Sequence, residues 1–515
     1  MTAHDWWILS PVIAMAAVAL AVVCADLFEG KSNRGPFGQP LAGSVALLGL
    51  AAPLFFALNL WFGWTGEAEA RTALGGAIVS DRFALFFQFA LIGVTAAVVM
   101  AGHGFSTRIP GLRGEFLALI LFSVTGMMVL VSARELISIY VALELTALPV
   151  AALAAFGRDG RSTEAGLKFL ILSAVSSAVL LYGMVYIYGY TGSTDLAVIF
   201  DRIEALSTDS SRPFGSYAVL LAVVMIVAGF GFKMAIVPWQ MWVPDVYEGA
   251  PTPVAAFLSV ASKASAFAVV LRVMYSAFGD TQAIGMTQDW SGLFAIIAAI
   301  TMTAGNLLAL SQKNIKRLLG YSTVAQAGYI LAGVAAVAAN SEGGNPAAGP
   351  QGVMYYLVGY AFTNLAVFIV VIVVTGKLGS EQISGLNGLG KRSPVLALLI
   401  TVGLLSLLGV PPTVGFMAKV FVFSAVVSSG LAWLAVIGVV STVISAYYYL
   451  SVVRAVYFEE PADRARIPPD GPALVAGTVA AAGVAVFGIA PWLVLNFAEK
   501  SLTIIPAAAA GLATR

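Results

Sequence analysis

Apolar runs of about 20 residues recur from one end of the chain to the other, each long enough to cross a hydrocarbon core of about 30 Å. The pattern resolves into about fourteen such segments, among them a sixth at 167–189, a seventh at 217–238, an eighth at 254–277 and a long twelfth at 395–425. A backbone surrounded by lipid must satisfy its own hydrogen bonds, so every segment is predicted to be a helix. The fourth and fifth nearly abut, with only Arg134 and Glu135 between them. The longest polar connection runs from Tyr190 to Ser216 and carries Asp195, Asp201, Glu204 and Asp209. Pro238 stands at the end of the seventh segment and Pro411–Pro412 inside the twelfth. The chain reads as an all-α integral membrane protein.

Composition sharpens this by exclusion. Of 515 residues, 60% are hydrophobic and only 10% charged, and the net charge of +1 gives no electrostatic reason to bind nucleic acid. A cluster of iron and sulfur usually takes four cysteine ligands, and this sequence has one cysteine, Cys24, and two histidines, His4 and His103. Neither a G-x-x-x-x-G-K-[ST] nor a G-x-G-x-x-G loop stands between a strand and a helix. No redox centre and no nucleotide hydrolysis are therefore expected of this polypeptide. Met1 to Trp7 hold no basic residue ahead of the first apolar run, so the first segment is expected to stay rather than be cleaved as a leader.

Against that background the charges within the apolar segments stand out: Glu144, Lys168, Lys233, Lys263 and Lys419. Each costs roughly 2.5–3.5 kcal/mol to insert at mid-membrane. Glu144 is too deep and too short to reach the interface; its bland alternative is a structural ion pair. Lys263 is as deep, between small residues that leave room for water or for close helix contact. Lys233 lies nearer its segment end, where a long side chain can snorkel, and Lys168 nearer still. Lys419 follows Pro411, Pro412 and Gly415, where a helix break would free carbonyls for an amine to satisfy. Removal from water disfavours an ammonium and a nearby carboxylate favours it. A lysine whose pairing with Glu144 can be made or broken would therefore take up and release a proton, whereas lysines around a dedicated Na⁺ cage would repel the ion. Arg272 and Arg454 are expected to snorkel or meet lipid head groups, His103 to be interfacial, and the Asp245–Glu248 turn to gather protons or simply to be solvated.

Loop lysines and arginines crowd one side, from Lys31 and Arg34 through Arg158 and Arg161 to Lys313, Lys316, Arg317, Lys391 and Arg392. The positive-inside rule then places both termini outside. A faint repeat also appears: Gly229-Phe230-Gly231-Phe232-Lys233 and Gly415-Phe416-Met417-Ala418-Lys419 share Gly-Phe-x-x-Lys beside prolines. Duplicated halves with interrupted helices are common in transporters. At the offset that superposes Lys233 on Lys419, Glu144 falls on Ile330, Lys168 on Met354 and Lys263 on Tyr449, so the second half keeps a single charge.

The run Pro238-Trp239-Gln240-Met241-Trp242-Val243-Pro244-Asp245-Val246-Tyr247-Glu248-Gly249-Ala250-Pro251-Thr252-Pro253 resembles a signature of the antiporter-like membrane subunits of respiratory complex I. So do Lys313-Asn314-Ile315-Lys316-Arg317-Leu318-Leu319-Gly320-Tyr321-Ser322 and Gly409-Val410-Pro411-Pro412-Thr413-Val414-Gly415-Phe416. The resemblance covers essentially the whole chain and is greatest to the subunit N branch of the bacterial enzyme. It implies about 14 transmembrane helices with two inverted five-helix repeats and broken helices 7 and 12. The domains would be 1–114 (helices 1–3), 115–277 (first repeat), 291–457 (second repeat) and 472–515 (last helix). It implies a proton relay in which Glu144 and Lys233 form a pair, Lys263 and Lys168 connect to it, and Lys419 serves the twelfth helix. It further implies a bacterial inner-membrane location, other membrane-arm subunits of complex I and lipids as partners, and reach to the quinone pool through the complex. NAD, FMN, iron–sulfur clusters and quinone would belong to partner subunits, with no cofactor and no metal in this chain. The alternatives are a subunit of a multi-subunit Na⁺/H⁺ antiporter or membrane-bound hydrogenase, and a non-transporting scaffold.

Overall fold

A computed structural model describes residues 1–28, 41–63, 71–109, 111–207, 215–279, 286–337, 345, 347–461, 463 and 465–504. Lys31, Arg34 and Asp209, which entered the charge pattern above, lie outside the described residues. Of the described residues, 83% are helical. Among the described residues thirteen helical stretches are long and apolar enough to cross a membrane, and two shorter apolar helices, Pro394–Leu408 and Val414–Ser428, share the region of the twelfth segment. The protein is a multi-pass membrane protein.

Local chemistry sets where helices begin and stop. Asp81 accepts from the Ala84 amide at 2.7 Å and Asp159 from the Ser162 amide at 2.7 Å. Asn314 accepts from the amides of Lys316 and Arg317 at 2.9 and 3.2 Å. Such side chains satisfy amides that have no partner within the first turn. Gly192 and Gly379 close the helices Gly160–Thr191 and Ala348–Leu378 with left-handed backbones. The polar connection predicted from Tyr190 onward is partly helical, over Leu196–Ser207. Between the helix that ends at Phe62 and the one that begins at Arg82, a short antiparallel hairpin pairs Thr72–Ala73 with Ile78–Val79.

The bundle is layered by burial. The most apolar window of the Thr252–Ala277 span is wholly buried and that of Ile315–Ala335 is 94% buried, against 33% for Ala432–Phe458. The first two form the centre, away from lipid, and only there can polar side chains accumulate without facing hydrocarbon. The outer helices turn valine, leucine and tyrosine outward: Ile137, Val141 and Leu148 on Leu136–Ala154, and Val436, Val443 and Tyr447 on Ala432–Phe458, are all exposed.

Three irregularities interrupt the interior. The helix Gly215–Met234 stops where Ala235 takes φ of 62°, and helix resumes at Trp242–Gly249 after a short turn at Trp239–Met241. A second break separates Pro394–Leu408 from Val414–Ser428, with Gly409 at φ of 91°. Val237–Pro238 and Pro411–Pro412 are cis peptides. The third irregularity is a π-helical stretch at Leu258–Ser262, directly before Lys263.

Candidate functional site

Lys233 is the penultimate residue of its half-helix, but that helix end lies inside the bundle and not at a membrane edge. Its side chain cannot snorkel; the residue is 7% exposed. Nζ donates to Ser173 Oγ at 3.1 Å and sits 5.6 Å from the ring centres of Phe169 and Phe232. Glu144 exerts a Coulomb interaction on Lys233 without touching it: no ion pair joins them among the described residues. Glu144 is half-buried, and its Oε1 has no hydrogen-bond partner among the described residues. The pair that the family resemblance implies is thus not closed as an ion pair here.

The break after Lys233 frees backbone acceptors, and two side chains take them. Trp242 Nε1 donates to the Phe232 carbonyl at 3.0 Å. Lys263 Nζ donates to the Met234 carbonyl at 3.1 Å and to the Thr323 carbonyl at 3.0 Å. Lys263 thus caps the half-helix that carries Lys233. At the second break Lys419 Nζ donates to Leu407 and Leu408 carbonyls at 3.1 and 2.8 Å and stands 4.9 Å over the Tyr329 ring. Both amines meet the negative end of a half-helix, which favours a cation.

Between Lys263 and Lys419 runs a set of polar side chains that the sequence reading did not single out. Thr323, whose carbonyl receives Lys263, shares a hydroxyl contact of 3.0 Å with Tyr360. One turn on, Gln326 donates to the Leu407 carbonyl at 3.2 Å, the acceptor that Lys419 also uses. Gln326 Oε1 accepts from Tyr356 at 2.5 Å, and Tyr449 joins Ser322 at 2.5 Å and Gln326 at 3.3 Å. Tyr448 donates to Asn306, which in turn donates to Tyr329 at 3.3 Å. A visible signal was there: Ser322, Thr323 and Gln326 within one apolar span, and three successive tyrosines at 447–449 in another.

Lys168 is not interior. Its helix begins at Gly160, earlier than the apolar pattern suggests, so the residue stands near the charged end with 41% of its side chain exposed. It pairs with Glu164 at 2.6 Å and Asp245 at 2.9 Å. Arg317 bridges Asp245 at 2.8 Å and Glu248 at 2.9 Å, and Arg161 meets Glu248 at 2.8 Å. These groups line a cavity of about 180 Å³. Lys316, which the loop count treats as exposed, is 1% exposed; it donates to Glu248 and Ala250 carbonyls at 2.8 Å each and pairs with Glu381 at 2.6 Å.

Arg272 corrects another expectation. Instead of snorkelling it is 4% exposed, forms a two-pronged ion pair with Asp81 at 2.9 Å on each arm, and donates to the Val131 carbonyl at 3.0 Å. A guanidinium fork matches a carboxylate, which explains why this charge stays inside. Arg454 is 74% exposed and lies 3.6 Å from Glu459. His103 follows its span at the helix end; burial pushes its imidazole below the ordinary value of 6.5, Asp470 opposes that and Arg113 adds to it. Among the described residues no group of three or more His, Cys, Asp or Glu side chains could hold a metal.

Fold and interior together define a class: a multi-pass helical membrane protein with amines lodged at the broken ends of its helices. Residues 133–445 match the family model described as NADH:quinone oxidoreductase/Mrp antiporter, TM. The NADH-quinone oxidoreductase subunit N of Dehalococcoides mccartyi is 38% identical over 497 residues, covering 96% of this chain and 99% of that one. A chain of respiratory complex I from Thermus thermophilus matches with a TM-score of 0.74 and 29% identity over 94% of this chain and 98% of its own. A chain of the Mrp complex from a Dietzia species shares the fold, with a TM-score of 0.80 at 19% identity over 100% of this chain and 98% of that one. The chain belongs to the NADH:quinone oxidoreductase/Mrp antiporter transmembrane family, and its curated relatives are subunits N of NADH-quinone oxidoreductase.

Proposed function

We propose that this chain is a proton-translocating membrane-arm subunit of an NADH–quinone oxidoreductase, and that Glu144, Lys233, Lys263 and Lys419 carry the relay, with Lys168 at its mouth. The single observation that carries the reading is the row of buried polar groups between the two capping amines: Lys263 on the Thr323 carbonyl and, one turn on, Gln326 sharing the Leu407 carbonyl with Lys419, at the centre of an otherwise apolar bundle. Charges cost too much at that depth to persist as ornament. The gap between Glu144 and Lys233 gives the relay its switch. Closing it holds a proton on the lysine and opening it lets the proton leave, because a neighbouring carboxylate favours the ammonium and desolvation opposes it. Moving one charge across 100 mV costs about 2.3 kcal/mol, within the range a made or broken ion pair supplies.

Protons enter from the inside past Lys168 and the Asp245 cavity, pass Lys263, and exchange between the Lys233 and Lys419 ends before leaving outside. Both termini face outside, in a bacterial inner membrane. Redox energy arrives through neighbouring membrane-arm subunits and the quinone pool; NAD, FMN and iron–sulfur clusters sit in partner subunits, and this chain holds no redox centre. The chain divides at 114, 277 and 457 into leading helices, two repeats and a last helix. The test is NADH-driven proton uptake in inverted membranes carrying Glu144→Gln or Lys233→Ala. Pumping falls at least tenfold while the complex still assembles; undiminished pumping refutes the assignment.

A further inference from the structure

The helices Arg82–Ala101, Ala348–Leu378 and Gly471–Ile489 enclose two features that the relay does not use. One is an apolar groove of about 600 Å³, lined by residues from Phe86 to Met100 on the first helix, by Phe362 and Leu365 on the second and by Val475 and Val479 on the third. From Phe86 to Met100 a helix rises on the order of 20 Å, the length of an extended sixteen-carbon chain. Gly93 opens onto the groove: a Cβ added there meets nothing within 4 Å. The other feature is a polar cavity of about 320 Å³ further along the same elements, lined by Ala101 directly after Met100, by residues from Ile372 to Lys377, about two to three turns past Leu365, by Asp470 at the start of the third helix, and by Arg108.

The acids and bases of that polar cavity are unequally engaged. Glu381 pairs with Lys316 at 2.6 Å, Asp159 caps the Ser162 amide, and Asp470 stands 3.9 Å from Lys377. Arg108 is exposed, and its guanidinium lies over Gly376 and makes no hydrogen bond or ion pair among the described residues. A cation without an anion thus stands at the end of a chain-length apolar groove in a membrane protein. Each half alone is common; their alignment along the same helices matches an amphiphile with a negative head and a hydrocarbon tail.

We propose that this surface binds one anionic phospholipid, its phosphate on Arg108 and an acyl chain in the groove beside Gly93. The site stands apart from the proton relay, so neither reading depends on the other. The test uses the full chain purified in mild detergent, delipidated, and incubated with phosphatidylglycerol, phosphatidylcholine or inorganic phosphate, with retained lipid counted by native mass spectrometry. The unmodified chain retains phosphatidylglycerol over phosphatidylcholine by at least fivefold and shows no competition from inorganic phosphate. Arg108→Gln, an exposed change, removes the preference between head groups. Gly93→Leu, which fills open space, lowers retention of both lipids at least fivefold, and thermal melting of each variant confirms that it is folded. Equal retention by all three proteins overturns the proposal. So does a Gly93→Leu variant that keeps its lipid yet loses a co-purifying membrane subunit, because the groove then receives a protein helix.

Discussion

The two helix breaks solve one problem in opposite ways. Each leaves a half-helix ending inside the membrane with carbonyls exposed, and each uses a lysine amine to cover them. At the second break the lysine is local: Lys419 lies on the helix that resumes after the gap and reaches back to Leu407 and Leu408. At the first, Lys233 lies before the gap and points away to Ser173, and the covering amine comes from another span, Lys263. Geometrically Lys263, not Lys233, does for the first break what Lys419 does for the second. The Gly-Phe-x-x-Lys pattern therefore aligns residues that stand on opposite sides of their gaps. The lesson is that a buried amine settles where backbone acceptors are free, and that Lys233, without this duty, donates to a side chain, Ser173, instead.

The strongest test of that comparison replaces each capping amine. Lys263→Met and Lys419→Met each leave one carbonyl, Met234 or Leu408, without its side-chain donor, at about 1–3 kcal/mol. Both are expected to cut proton uptake in inverted membranes at least tenfold and to lower the melting temperature in detergent alike. Lys233→Met is expected to cut uptake as far while leaving melting almost unchanged, since among the described residues its amine donates to Ser173 and to no backbone carbonyl. Equal destabilisation by all three would erase the distinction between the breaks.

A smaller effect is expected from Gly409→Ala. Its φ of 91° suits glycine, and an added Cβ would stand 3.2 Å from Lys419 Cδ. Left-handed backbone costs an L-residue about 1–2 kcal/mol, and the displaced amine should slow uptake several-fold. Gln326→Leu keeps the helix but removes the donor to Leu407; uptake should fall several-fold with a stability loss of about 1 kcal/mol. If uptake in Gln326→Leu equals that of the unmodified protein, the two breaks do not communicate through this residue. The smallest change is expected at the first break, where Ala235 already holds φ of 62°. Ala235→Gly removes that strain at some cost in chain entropy, so the melting temperature should rise slightly, by the equivalent of no more than about 1 kcal/mol.

The membrane class, the number of spans and the presence of interruptions are legible in the sequence, because lipid admits one kind of backbone and apolar length has to match its thickness. Glu144, Lys233, Lys263 and Lys419 are equally legible, since a charge in such a run is conspicuous whatever surrounds it. What each charge touches was not. Whether Arg272 reaches a head group or Asp81, whether Lys316 is solvated or sealed against Glu381, and whether Lys168 faces the core or a charged rim all depend on partners distant in the chain. The route between the breaks was the least visible part. It is made of hydroxyls and amides such as Thr323, Gln326 and Tyr449, whose types are unremarkable in a helix and gain meaning only when three spans bring them within hydrogen-bond reach. Sequence thus determines which groups must be hidden from lipid, a matter of transfer free energy read residue by residue; tertiary packing alone decides what satisfies them there, because hydrogen bonds and ion pairs act over a few ångströms between residues that the chain order keeps far apart.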